Sequence, residues 1–284
     1  MRIRAGTVVL VLILLGSIYI ERGVLRDKWH SWNQPDLPHA KPYVAHLPSV
    51  IVASSTKIHP VVDIRVSSTT PIPPGSVTLS GSSIDPFVGT DPLPERVNLA
   101  IPFLSQAPKQ NWDMPYQEAC EEASMLMVDA FYRGKVGKFT SEEGDRAILD
   151  LVSFEERRGK TADLTAAEVA EIAKVKWDYD VVVTSTVTPE LVKRALANGY
   201  PVMLPADGKR LENPNFRNGG PPYHMLVIKG YIGNQTWITN DPGTRLGADF
   251  TYRYAHLLTV AHDWNGGDVP HGQPVLIVLV PRVH

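Results

Sequence analysis

The chain has 284 residues, a formal net charge of −2 at pH 7 and 43% hydrophobic residues. That length and apolar content suit one sizeable domain with accessory segments, and the near-neutral charge gives no electrostatic reason to expect a nucleic-acid partner. A single cysteine, Cys120, excludes an intramolecular disulfide, so the fold rests on packing alone.

Met1-Arg-Ile-Arg4 sets positive charge before an apolar run from Ala5 to Ile20. As a helix, such a run spans about 24 Å, short of a ~30 Å hydrocarbon core, and it also suits the apolar region of a signal peptide. The flank Gly16-Ser-Ile-Tyr-Ile-Glu21 offers no convincing small-x-small cleavage site. Residues 1–33 therefore read as an uncleaved signal anchor with its flank, touching a membrane through that helix. The expected location is a single-pass membrane protein with an extracytoplasmic domain, or a secreted protein if the segment is removed.

Residues 34–96 change in composition, with prolines recurring among Ser, Thr and Gly. Proline lacks the donor N–H that helices and central strands need, so this region reads as an extended stalk. Two β-branched islands, Ser49-Val-Ile-Val-Ala53 and Val61-Val-Asp-Ile-Arg-Val66, are candidate short strands docked on the domain.

The domain proper, 97–284, opens with an expected strand at Val97–Phe103 and a helix over Tyr116–Arg133. Thr140 with Glu143, and Thr165 with Glu168, form capping-box patterns that start two further helices. Val181–Val187 reads as a strand, Thr188-Pro189-Glu190 as a helix start and Gly199 as its stop. Strands are then expected at Pro201–Leu204, Tyr223–Tyr231, Gln235–Asn240 and Val275–Val280. Helices first and a mostly antiparallel sheet afterwards make an α+β layout.

Tyr116, Ala119, Cys120, Ala123, Met127, Ala130 and Phe131 share one helical face, so Cys120 points inward. Its place in the first turns suits a thiolate, because unsatisfied N–H groups gather there. Glu121 and Glu122 oppose this unless they face solvent, as the periodicity suggests. A buried structural thiol remains the other reading of Cys120. His224 opens the run Met225-Leu-Val-Ile228, and Asp241 closes Gln235-Thr-Trp-Ile-Thr-Asn240, with Gly230-Tyr-Ile-Gly-Asn234 as the turn signal. A hairpin centred on Ile232–Gly233 sets 224 and 241 directly opposite one another. The aspartate then orients the imidazole while the other ring nitrogen takes the thiol proton.

Ile101-Pro-Phe-Leu-Ser-Gln106, Ala119-Cys120, Tyr223-His224 and Thr239-Asn-Asp-Pro-Gly243, in that order, resemble the bacteriocin-leader-processing cysteine peptidases. These are the double-glycine peptidases, the thirty-ninth family of cysteine peptidases, and the likeness is to the branch not fused to a transporter. The resemblance implies a papain-like fold, with helices packed on a mostly antiparallel sheet behind the membrane helix and Pro-rich stalk. It implies a cysteine peptidase with Cys120 as nucleophile, His224 as base and later acid, and Asp241 as orienter. Gln106 matches the family's oxyanion glutamine, and Gln117, three before the cysteine, competes for that role. Two departures stand out: Glu121 replaces the glycine that usually follows the cysteine, and the spacing from Gln106 to Cys120 is longer than usual.

The implied substrate is a peptide or protein cleaved through an acyl-thioester. A cell-wall peptide hydrolase or amide-transfer enzyme with the same residues is an alternative, as is an inactive peptide-binding module. No metal or other cofactor is expected: His256, His262, Asp263, Asp268 and His271 cluster in sequence without zinc or EF-hand spacing. The long Gly/Pro/Asn-rich loop Ala206–Pro222 leads into His224 and reads as a cleft-shaping lid or a plain surface excursion.

Overall fold

The computed structural model describes residues 35–44, 85–89 and 91–282. The expected anchor at 1–33, both β-branched islands and most of the stalk lie outside these residues. All the helices and strands described here belong to one compact unit, Pro38–His284.

The helices begin where the side chains can satisfy their first N–H groups. α1 spans Cys120–Tyr132, preceded by a single 3-10 turn at Tyr116–Glu118. α2 (Ser141–Glu156) and α3 (Ala166–Trp177) each start from a complete capping box, Thr140 with Glu143 and Thr165 with Glu168. α4 (Pro189–Ala197) uses the Thr188 side chain on Leu191 N–H, with Pro189 in its first turn. It stops before Gly199, whose φ of +84° suits a residue without Cβ.

The strands are β1 (Arg96–Asn98), β2 (Asp180–Thr184), β3 (Val202–Asp207), β4 (Tyr223–Ile232), β5 (Thr236–Asn240), β6 (Phe250–Arg253) and β7 (Leu276–Val280). They form one antiparallel sheet in the order β2-β7-β3-β4-β5-β6, with β1 added beside β4. β4 is the spine: β5 covers one edge, and β3 and β1 share the other. It is buried at every position except its last. α1 packs on β4, α3 on β2 and β7, and α4 on β1, β3 and β4.

Pieces of the expected stalk are tied to the domain. Lys41 makes a parallel bridge with Leu99, and Tyr43 packs its ring edge-on to Phe131 and Tyr132. Asn198 Nδ2 donates to the carbonyls of Pro86 and Val88. This docking also shortens the first expected strand. Leu99 N–H still donates to Lys229 O on β4, while Asn98 O and Ala100 N–H turn to Lys41, and Pro102 has no N–H with which to continue a ladder.

The hairpin between β4 and β5 exists, but its register differs from the expected one. Ile232 pairs with Thr236 and Val227 with Asn240, with a shift between Ile228 and Gly230. The turn is thus longer and the ladder is displaced, so Asp241 lies beyond the last paired residue and not opposite His224. Lys229 occupies the irregularity, buried, with its Nζ bonded to Asp249. The shift lets β1 close on Gly230, where a Cβ would fall 2.2 Å from Val97 O. Gly230→Ala is expected to force β1 off β4 and destabilise the fold by about 1–3 kcal/mol, read as a lower melting temperature.

Candidate active site

Cys120 is the first residue of α1, and the helix is buried from Cys120 through Phe131. This overturns the expectation that Glu121 and Glu122 face solvent, since they are 0% and 3% exposed. A one-sided apolar stripe predicts a helix with a wet back, whereas α1 is enclosed by α2, α3 and β4. The Cys120 thiol donates to Glu121 Oε2 at 2.9 Å, and Glu121 Oε1 accepts from Leu164 N–H at 2.9 Å. Met225 N–H, on β4, also donates to the sulfur.

The electrostatics follow from this enclosure. Burial pushes the thiol well above its ordinary range, and the Glu121 charge and hydrogen bond push it further, only partly offset by Met225 N–H. Burial also raises Glu121 to about 8, although it receives hydrogen bonds from Cys120, Leu164 N–H and its own N–H. Behind it, burial and the neighbouring carboxylates hold Glu122 well above the usual range, and burial raises its partner Glu155 to about 7.

His224 is fully buried on β4, and its Nε2 lies 2.8 Å from Asp241 Oδ1. Its Nδ1 is buried without a hydrogen-bond partner. Asp241 is gripped on all sides: Gly243 N–H reaches Oδ1, while Asn213 Nδ2 and Tyr252 Oη reach Oδ2 at 2.9 and 2.6 Å. Burial alone would raise this carboxyl; the contacts from His224, Tyr252 and Gly243 N–H outweigh it and leave Asp241 lowered. Asn213 and Tyr252 were not singled out for this role by the sequence. Asn213 entered only as part of the long loop Ala206–Pro222.

The Asn240-Asp-Pro-Gly243 segment has a physical account at each position. Asn240 Nδ2 donates to Ile101 O, and its Oδ1 accepts from Asp249 N–H. Pro242 O accepts from Gln106 N–H and Ser105 Oγ, which joins the Ile101–Gln106 segment to the site. At Gly243 a Cβ would sit 2.8 Å from both His224 Cε1 and Phe216 Cε1. Phe216, from the loop before β4, meets the His224 ring edge-on at 5.2 Å.

The structure brings His224 and Asp241 together and sets Cys120 against the next residue of the same strand. It does not join the thiol to His224, because the sulfur's side-chain bond goes to Glu121. Gln106 Nε2 donates to the carbonyls of Tyr116 and Gln117, bracing the turn that feeds α1. Gln117 is exposed and donates to Glu118. The C-terminal histidines serve elsewhere: His262 Nδ1 bonds Gly272 O, His256 Nε2 bonds Arg210 O and His271 pairs with Asp268. Among the described residues no group of His, Cys, Asp and Glu gathers to hold a metal.

The sequence model of the Peptidase_C39 like family matches residues 98–266, a span that includes Cys120, His224 and Asp241. The chain belongs to the Peptidase_C39 like family. Among the curated proteins none matches. Of solved structures, a candidate C39-like peptidase from Bacillus anthracis is 15% identical with a TM-score of 0.45, covering 67% of this chain and 100% of that one. Procathepsin L 3 of the Tenebrio molitor larval midgut is 12% identical with a TM-score of 0.37, covering 69% and 73%. A recombinant stem bromelain precursor is 11% identical with a TM-score of 0.33, covering 70% and 76%. Membership of the family rests on the sequence match and not on these scores. A cysteine peptidase-type protein, built as helices on a mostly antiparallel sheet, is what family and coordinates together give.

Two stability predictions follow from these charges. Carboxyls raised in the fold stabilise it fully below their unfolded range and lose that contribution as pH rises through the folded value. Glu121, at about 8, and Glu155, at about 7, both act in this direction. Stability, read as the melting temperature, is therefore expected to fall between pH 5 and 8, the unfolding free energy dropping by on the order of 1 kcal/mol per pH unit for each whole proton of difference. Glu155→Gln should flatten that slope. Asp241, being lowered, acts oppositely: its contribution is present above the unfolded value and lost as pH falls through the folded one. Tyr252→Phe, which deletes a donor to this carboxylate, should move the acid-side loss to higher pH and cost about 1.5–3 kcal/mol in thermal unfolding.

Proposed function

We propose that the chain is a cysteine peptidase-like hydrolase that cleaves a peptide or amide bond with Cys120, His224 and Asp241. The observation that carries this reading is the state of His224. One ring nitrogen is fixed by a fully coordinated aspartate and the other is buried with no partner. A buried nitrogen left unpaired costs free energy, and the neighbouring residue on the strand holds the sulfur of the chain's one cysteine.

In this mechanism the Cys120 side chain turns from Glu121 toward His224 Nδ1, which takes the thiol proton. The thiolate attacks the substrate carbonyl carbon, and the resulting oxyanion is received by the Cys120 backbone N–H and the Gln106 amide. For that, Gln106 exchanges one of its two carbonyl contacts for the oxyanion; Gln117 stays the alternative donor. Collapse breaks the C–N bond as His224 returns the proton to the leaving amine, leaving an acyl-thioester. Water, deprotonated by His224, then attacks the acyl carbon, and the thiolate departs with release of the acid.

The match to a peptidase family supports a peptide or protein substrate. The apolar run Ala5–Ile20 supports attachment to a membrane with the domain outside the cytoplasm. Among the described residues no helix is long and apolar enough to cross a membrane, and residues 1–33 lie outside them. The rival reading, a peptide-binding module without chemistry, draws on the thiol's bond to Glu121 in place of His224.

Casein and muropeptide digests with the full chain test the activity, and iodoacetamide labelling tests the nucleophile. Cys120→Ser is expected to abolish turnover, and His224→Gln to slow Cys120 labelling at neutral pH at least tenfold. Equal, slow labelling with and without His224, together with no cleavage of either substrate, sinks the hydrolase reading in favour of the binding module.

A further inference from the structure

We propose that Glu121 is a clamp on the nucleophile: Cys120 rests on its carboxylate as a neutral thiol and reacts only after leaving it for His224. The inference rests on the hydrolase reading above and adds a control step to it.

The contact is built, not incidental. Glu121 is completely buried, one carboxylate oxygen accepts the Cys120 thiol at 2.9 Å, and the other accepts Leu164 N–H at 2.9 Å. Leu164 is itself held, because Tyr223 Oη donates to its carbonyl at 3.0 Å. The N-terminal end of α1 is where a thiolate would gain from free N–H groups and the helix dipole. There, Glu121 and Glu122 instead turn their own carboxylates back onto their own N–H groups. The position that would favour an anionic sulfur is taken by two carboxyl groups.

The neighbouring charges point the same way. Glu122 lies beside Glu121 on α1, Asp163 faces it from the connection between α2 and α3, and Tyr223 faces it from β4. Asp163 is raised to about 6 by burial and by Glu118 on the preceding 3-10 turn. The groups acting most strongly on Cys120 and Glu121 include no cation. A carboxylate within hydrogen-bond reach disfavours loss of the thiol proton, whereas His224, one residue from the N–H that touches the sulfur, accepts it. The two resting places of one side chain thus have opposite effects on its reactivity. Turning from one to the other sacrifices a single hydrogen bond.

Alkylation of Cys120 by iodoacetamide across a pH series, on the full chain and on Glu121→Gln, tests this. Glutamine keeps the size and an acceptor for Leu164 N–H but carries no charge. The variant's labelling profile is expected to move to lower pH, with a rate about tenfold or more higher above pH 8, where Glu121 carries its charge. Direct ultraviolet titration of the wild-type thiolate supplies a second measurement that needs no variant, and it should show ionisation only above the ordinary thiol range of ~8.5. A Glu121→Gln profile that overlays the wild type, or a wild-type thiolate already formed at neutral pH, overturns the clamp. If Glu121→Gln shifts the profile while His224→Gln changes neither labelling nor turnover, the hydrolase reading falls and the Glu121 hold on the thiol stands. The converse result removes the clamp and leaves the hydrolase.

Discussion

The hydrogen bond between His224 and Asp241 is made in complete burial, and the surrounding architecture exists to make that tolerable. A buried carboxylate is costly unless each of its lone pairs meets a donor. Asp241 achieves this with four donors from four places in the chain: His224, Gly243, Asn213 and Tyr252. The long loop before β4 and the strand β6 are thereby committed to the same point, because each supplies one of those donors. Gly247 belongs to the same constraint, since a Cβ there would lie 1.7 Å from Asp241 O. The segment after β5 can fold back to Asp241 N–H only because that side chain is missing.

The helix side of the site obeys a different economy. α1 begins without a side-chain cap from its N-cap residue Ala119, so its first N–H groups need acceptors from elsewhere. Glu121 and Glu122 provide them, and burial then forces both carboxyls away from their ordinary ionisation. The pair Glu122–Glu155 follows from the same enclosure, as two carboxyls that share one dry interface cannot both ionise easily. What is gained is a rigid helix start pressed against β4, with Ser124 Oγ on Met225 O as a further tie. A nucleophile mounted there is well fixed but chemically quiet.

How much of this was legible depends on the range of the interaction concerned. Both capping boxes, and α4 with its Thr188 cap and Gly199 stop, were readable because the residues that decide them lie within four positions of each other. The hairpin was readable as a hairpin, but its register was not. A register depends on where the irregularity falls, and Lys229 was displaced by contacts with Asp249 and with β1, both distant in sequence. Asp241 still reached His224, through a turn held by Gly243 and Gly247 and not through direct cross-strand pairing. β6 and the single turn Tyr254–Leu257 went unseen because four-residue elements carry too little periodicity. Glu121 and Glu122 misled for a related reason: a stripe of apolar residues says which face is inside and not that the opposite face is outside.

Gln106 shows how one residue can brace two parts of a site at once. Gln106 is 4% exposed, and its amide N–H groups are spent on the two carbonyls just before Cys120, leaving its own oxygen unpaired. Its backbone N–H meanwhile binds Pro242 O, the residue after Asp241. One residue, through its side chain and its backbone N–H, therefore links the turn that carries the cysteine to the turn that carries the aspartate. The loop between Gln106 and Cys120 must return to offer those carbonyls. If Gln106 also receives the oxyanion, as proposed, one of the two braces has to yield in each cycle, which loosens the turn before α1. On that proposed reading, control of the site lies in the first turn of one helix.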